Sequence, residues 1–188
     1  MTLKNQKKAL RKEVKKCREE LSEKYCEEAD HSIQKHVMQL PEYQSAQTIF
    51  CFVGTEEEID TRPVIQDALM KKKRVCVPRC LSPGVMGVYL IDSLEDLVAG
   101  HYGILEPGED AVMTHAQELD VAIVPCVSCS RDGRRLGHGG GYYDRYLEQC
   151  HVTKVVVCRD KLMREDIPMN EHDQVMDIVI SETGALRT

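Results

Sequence analysis

The chain has no tryptophan and only two phenylalanines among its 188 residues, so it lacks the interleaved aromatics a general nucleic-acid binder would carry. No stretch is apolar for long enough to span a bilayer, and the N-terminus is a charged helical segment without the apolar centre of a signal peptide. These absences predict a cytoplasmic protein with no membrane partner. The seven histidines show neither HExxH nor another paired-ligand spacing, which argues against a preformed zinc site. Cysteine is plentiful, but its nine residues are scattered, odd in number and without a secretory signal, so reduced thiols are expected instead of a disulfide framework. Cys126-x-x-Cys129 has no second cysteine pair and follows an apolar strand, which predicts packing over redox or metal chemistry.

Charge is present but uneven. Net charge is −6, yet residues 1–20 hold eight Lys or Arg against three Glu. A basic helix on an acidic body is too narrow a patch for nucleic acid; it is either a solvated face or the source of a lysine that reaches a phosphate.

The length suits a single domain over residues 1–188. Leu10, Val14, Cys17 and Leu21 recur at helical spacing, which predicts a helix over 3–21. Ser22 caps a second helix carrying Cys26, Ala29, Ile33, Val37 and Leu40, and Pro41 stops it. Two helices are thus expected before the first strand, residues 48–53. Thr61 is expected to cap a helix whose C-terminal end meets the run Lys71 to Arg74. Further strands are expected at 74–78, 86–90, 120–125, 154–157 and 175–180. Residues 91–100 read as a short helix, 103–108 as loop and 161–166 as weakly helical, and 109–119 are ambiguous. Strands alternating with helices predict an α/β fold: a mostly parallel, Rossmann-like sheet with helices on both faces.

The run Val124 to Leu147 dominates this pattern. A buried strand leads to Arg134 and Arg135, then to Gly137, Gly139, Gly140 and Gly141, then to a helical Tyr-Tyr-Asp-Arg-Tyr-Leu. Clustered glycines serve a tight turn as readily as an anion cradle, but the arginines and Asp144 beside them point to an anionic ligand at the helix start. The loop is not a Walker motif, because Tyr142 follows Gly141 where Lys-Ser/Thr is required, and it lacks the final small residue of the dinucleotide fingerprint. An aspartate this close to a triphosphate would repel it without a metal, so Asp144, with Asp173 from a polar loop before the last strand, suggests Mg²⁺ bound with nucleotide.

Arg135-Leu136-Gly137-x-Gly139-x-Gly141-Tyr142-Tyr143-Asp144-Arg145-Tyr146-Leu147 resembles the signature of the 5-formyltetrahydrofolate cyclo-ligase family. Lys7-x-x-Leu10-Arg11, Leu40-Pro41-Glu42-Tyr43, Glu58-Ile59-Asp60-Thr61, Gly103-Ile104-Leu105-Glu106-Pro107 and His172-Asp173 resemble family segments in the family order, so the resemblance covers nearly the whole chain. The chain departs from the family at Ser128-Cys129-Ser130, where Ala-Phe-Asp is common. The resemblance implies a sheet like that of sugar-phosphate isomerases and CoA transferases, and ATP- and Mg²⁺-dependent closure of 5-formyltetrahydrofolate to 5,10-methenyltetrahydrofolate. It implies that Lys7 and Arg11 approach the ATP phosphates, that Arg135, Leu136, Gly137, His138, Gly139, Gly140, Gly141, Tyr142 and Tyr143 cradle them, and that Asp144 and Asp173 serve Mg²⁺. Glu58 would hold the reduced folate, with residues 138–142 lying between nucleotide and formyl group. His138, at a variable position, either touches phosphate or faces solvent, with solvent slightly favoured. No covalent nucleophile is expected. The expected partners are a reduced folate and ATP, and the expected state is a monomer. The other readings are a phosphosugar-binding isomerase using the same loop, and a folate- or nucleotide-binding protein without turnover.

Overall fold

Alternation along the strands assigns the two faces of one sheet. Ile49 and Cys51 join one apolar cluster while Phe50, between them, joins the other. The same alternation recurs at Val75, Cys76 and Val77, and at Val155, Val156 and Val157. A strand buried on both faces reads as a continuous apolar run, which is why these strands were legible.

The computed structural model describes residues 2–100 and 103–188. In chain order its elements are α1 (Leu3–Glu19), α2 (Glu23–Gln39), α3 (Pro41–Ser45), β1 (Thr48–Cys51), α4 (Arg62–Met70), β2 (Arg74–Ser82), β3 (Val85–Ile91), β4 (Leu97–Ala99), β5 (Leu105–Pro107), β6 (Val121–Val124), β7 (Ser128–Cys129), β8 (Arg135–Leu136), α5 (Tyr142–Leu147), β9 (Thr153–Val157), β10 (Ile178–Ser181) and β11 (Gly184–Arg187). Seven strands form the main sheet in the order β11-β10-β9-β6-β1-β2-β3. Its centre is parallel, whereas β3 and β11 run antiparallel to their neighbours. The fold is α/β, as expected. One face is covered by α2 and α4 through Ile33, Val37, Val64, Ile65 and Ala68. The other is covered by α1 and α5 through Leu10, Val14 and Leu147. Each buried Leu, Ile or Val among these contributes roughly 1.5–3 kcal/mol.

Several local expectations are corrected. Three helices precede β1, because Pro41 ends α2 and then occupies the first turn of α3, where its missing N–H has no partner to lose. Thr61 stands before α4 but does not cap it: its hydroxyl donates to the Phe52 carbonyl (2.6 Å) and accepts from the Gly54 amide (3.1 Å). Residues 91–100 are not a helix. Ile91 ends β3, a single 3₁₀ turn at Leu94–Asp96 is capped by Ser93, and Leu97–Ala99 pairs as β4 with β5, which lies in the expected loop. The weak helix at 161–166 is one 3₁₀ turn, Asp160–Leu162. The final strand starts at Ile178, and β11 follows it.

The strand order positions the site. From β1 the chain builds outward through β2, then returns to the other side of β1 with β6 and continues through β9. The carboxyl ends of β1 and β6 therefore form a switch point, where the loops diverge and leave a crevice.

Candidate functional site

Both diverging loops carry expected residues. After β1 the chain turns back on itself: a Cβ on Gly54 would lie 2.0 Å from the Ile59 carbonyl oxygen, so only glycine allows this close approach. The turn presents Glu58, whose Oε2 accepts from the Thr55 amide and hydroxyl, both at 3.1 Å. Its Oε1 lies 3.0 Å from His138 Nε2 on the facing glycine loop. Burial pushes the Glu58 carboxyl up, but the hydrogen bonds from His138 and Thr55 outweigh it and hold it below the ordinary carboxylate range. His138, at 57% exposure, does more than face solvent: it is the partner of Glu58.

After β6 the chain forms the small β7–β8 hairpin and the glycine loop, which ends at α5. Gly139 has φ +107°, outside the range of ordinary side chains, and a Cβ there would press on Arg11 Cζ at 3.4 Å. No side chain caps α5, so its first-turn amides remain available to an anion.

Cations converge on this loop. From α1, Arg11 Nε donates to the Gly137 carbonyl at 2.7 Å, and Lys7 pairs with Asp173. Arg135, with its side chain 3% exposed, donates through Nη1 to the Pro125 carbonyl at 3.1 Å and forms an ion pair through Nη2 with Asp144 Oδ1 at 2.9 Å. Its Nε is buried without a partner among the described residues. Asp144 Oδ1 also accepts the Gln174 amide at 3.2 Å, which ties the Asp173 loop to α5. Lys7, Arg11, Arg135, Asp144, Asp173, Glu58, His138 and the glycines are thus linked around the crevice. Three neighbours behave differently. Leu136 is buried in the core, Tyr143 stacks on Phe50 with ring centroids 6.0 Å apart, and Arg134 turns away to pair with Asp132. Arg134 therefore does not stand beside the glycine loop as expected.

Between the two loops lies a cavity of about 210 Å³. Its walls include Arg11, Lys15 and Arg18 from α1, Phe52 and Glu58 from the first loop, and His138 from the second. Basic groups, an apolar ring and a carboxylate thus face one space.

Two arginines important to this geometry escaped the sequence reading. Arg145 Nη1 donates to the carbonyls of Gly140 (2.9 Å) and Gly84 (3.0 Å), fastening the glycine loop to the β2–β3 turn. Its place one helical turn after Gly141 was the available signal. Arg159 binds Asp30 through Nε (2.7 Å) and Nη2 (3.0 Å), and Nη2 reaches the Glu58 carbonyl (3.1 Å). Asp30 also accepts the Asp60 amide at 3.1 Å, so this buried pair fixes the Glu58 turn. No local pattern marks that contact, because its members come from α2, the β1 loop and the end of β9.

Residues 3–182 match the model of the 5-formyltetrahydrofolate cyclo-ligase family. The chain is similar to a probable 5-formyltetrahydrofolate cyclo-ligase of Schizosaccharomyces pombe, 30% identical over 83% of this chain and 85% of that protein. It is 30% identical to the 5-formyltetrahydrofolate cyclo-ligase of Escherichia coli strain K12, over 89% of this chain and 96% of the relative. Among solved structures it is similar to 5,10-methenyltetrahydrofolate synthetase of Aquifex aeolicus, with a TM-score of 0.84, 28% identity, and coverage of 96% of this chain and 92% of that one. No helix among the described residues is long and apolar enough to cross a membrane.

Proposed function

The chain belongs to the 5-formyltetrahydrofolate cyclo-ligase family, and from that premise we propose that it closes 5-formyltetrahydrofolate to 5,10-methenyltetrahydrofolate at the expense of ATP. The observation that carries this reading is the Arg11–Gly137 hydrogen bond. It brings the basic first helix onto the glycine loop, where Arg11, Lys7 and Arg135 together suit a triphosphate. A phosphosugar monophosphate would need fewer cations, so the isomerase reading is less well supported.

A formamide oxygen is a poor leaving group. Its attack on the γ-phosphorus forms an O–P bond and releases ADP, leaving carbon bound to a phosphate that can depart. The N10 lone pair then attacks that carbon, the C–O bond breaks, phosphate leaves, and N10 gives its proton to solvent. The protein mainly positions the two substrates and offsets charge. Arg11 and Lys7 hold phosphate oxygens, the buried Arg135 adds positive charge behind the glycine loop, and the uncapped start of α5 adds backbone N–H donors. Glu58, kept ionised by His138 and Thr55, accepts N–H donors of the folate ring system in the cavity.

Asp144 and Asp173 fit Mg²⁺: they are hard oxygen donors joined through Gln174, and each uses only one oxygen in its ion pair. Held there, Mg²⁺ would offset the negative charge of the phosphate groups. With both carboxylates so engaged, Lys7 and Arg135 would be released from these partners to face phosphate.

The test is direct. Purified protein supplied with Mg²⁺, ATP and 5-formyltetrahydrofolate is expected to generate the methenyl chromophore with equimolar ADP. Binding of both substrates without chromophore would overturn the reading and leave a binding protein without turnover.

A further inference from the structure

Beneath the cavity three thiols meet. The Sγ atoms of Cys126, Cys129 and Cys158 lie within 4.8 Å of one another. Strand register causes this: β6 and β9 run parallel with Val124 opposite Val156, so Cys126 and Cys158, each two residues further on, emerge side by side. The β7–β8 hairpin folds Cys129 back onto them, with Cys129 opposite Arg135. Cys129 and Cys158 are buried, and Cys126 is half-buried. Neither of the outer thiols is committed to a strong contact. Cys126 donates to the Val157 carbonyl at 3.3 Å and Cys158 to that of Arg159 at 3.5 Å, both weak thiol hydrogen bonds.

The geometry points to a binding site for one soft d¹⁰ metal cation, held by the thiolates of Cys126, Cys129 and Cys158 with Cu(I) as the best-fitting ion. Sulfur donors select Cu(I) and Zn(II) over hard cations. With metal–sulfur bonds of about 2.3 Å, three sulfurs around one ion stand about 3.8–4.0 Å apart, within the spread of the cluster. No histidine, carboxylate or fourth cysteine joins the group among the described residues. That matches three-coordinate Cu(I) better than the closed four-ligand sites of structural zinc. As the ion binds, each thiol gives its proton to solvent and a metal–sulfur bond replaces it, leaving the centre anionic. Arg135, anchored on the Pro125 carbonyl beside Cys126, and Arg159, next to Cys158, supply positive charge nearby. The cluster borders the cavity through Cys126 and Cys158, and the half-buried Cys126 is its most accessible member.

The test uses the full-length, reduced chain under anaerobic conditions. Cu(I) is delivered from a coloured chelator and Zn(II) is titrated in parallel. The expected result is withdrawal of about one Cu(I) per chain with ultraviolet sulfur-to-copper charge transfer, and weaker retention of Zn(II) against the same chelator concentration. Uptake is lost in Cys126→Ser and Cys158→Ala, and kept in Cys26→Ser, whose thiol lies outside the cluster. Cys126 is the least buried of the three, so its variant, checked by circular dichroism, keeps the test valid if Cys158→Ala does not fold. Failure of the wild type to take up Cu(I), or full uptake by folded Cys126→Ser, would overturn the site. Tighter retention of Zn(II) than Cu(I) would overturn the three-coordinate assignment.

Discussion

Two arginine–carboxylate pairs support the two loops that diverge at the crevice, one behind the Glu58 turn and one behind the glycine loop, and they are built differently. Arg159 grips Asp30 with two hydrogen bonds and spends a further contact on the Glu58 carbonyl, while Asp30 also accepts the Asp60 amide. Arg135 meets Asp144 through a single nitrogen and keeps a buried Nε without a partner. The first pair leaves no buried donor without a partner among the described residues, and its bonds go into fixing a turn. The second is incomplete, which is the state expected of groups that exchange partners when a charged ligand arrives. On the proposed function the same two residue types would serve architecture on one side and binding on the other, and the buried donor left without a partner marks the second role.

The largest effect that could break this comparison is on stability. Asp30→Ala leaves Arg159 buried with no counter-charge, and we expect a loss of about 3–5 kcal/mol in chemical denaturation. Asp144→Asn should unfold much closer to wild type, since asparagine still accepts from Arg135, yet its turnover should fall roughly 100-fold, about 2.7 kcal/mol in barrier. Equal destabilisation by the two substitutions would erase the distinction. A smaller effect is expected from Gly139→Ala, where a side chain at φ +107° introduces about 1–3 kcal/mol of strain. Calorimetry should show weaker binding of Mg²⁺-ATP and nearly unchanged binding of folate; loss of folate binding alone would move Gly139 to the other wall.

The smallest effect concerns pH. Glu58 has its carboxyl lowered in the folded protein, so its contribution is present above its unfolded pKa and lost as pH falls through the lowered value. Removing His138 takes away one of the hydrogen bonds that lower it. The acid limb of kcat/KM in His138→Ala should therefore move to higher pH, toward the ordinary carboxylate range. An unmoved limb would show that His138 does not tune Glu58.

The central strands and the glycine loop were legible because burial on two faces writes a continuous apolar run, and because glycine, arginine and aspartate are rare at such density without a reason. The short β4–β5 pair was not, since three-residue strands with exposed positions carry no period. Pro41 was read as a stop although it also begins a helix, a dual role its neighbours do not resolve. The Glu58–His138 contact joins loops far apart in sequence, so neither alternative for His138, phosphate or solvent, included it, although the side chain is exposed. Cys158 likewise joins Cys126 and Cys129 only through the β6–β9 register, so the cysteine pair read as packing had a third member invisible to spacing.

The Arg135–Asp144 pair is expected to yield to ligand, whereas the Arg159–Asp30 pair is not. Thermal unfolding with and without Mg²⁺-ATP tests it most directly, because a ligand at 100 times its dissociation constant stabilises a folded protein by about 2.7 kcal/mol. We predict that Mg²⁺-ATP raises the unfolding temperature of wild type and of Asp30→Asn by similar increments and leaves Asp144→Asn nearly unmoved. An increment in Asp144→Asn as large as in wild type would contradict the account.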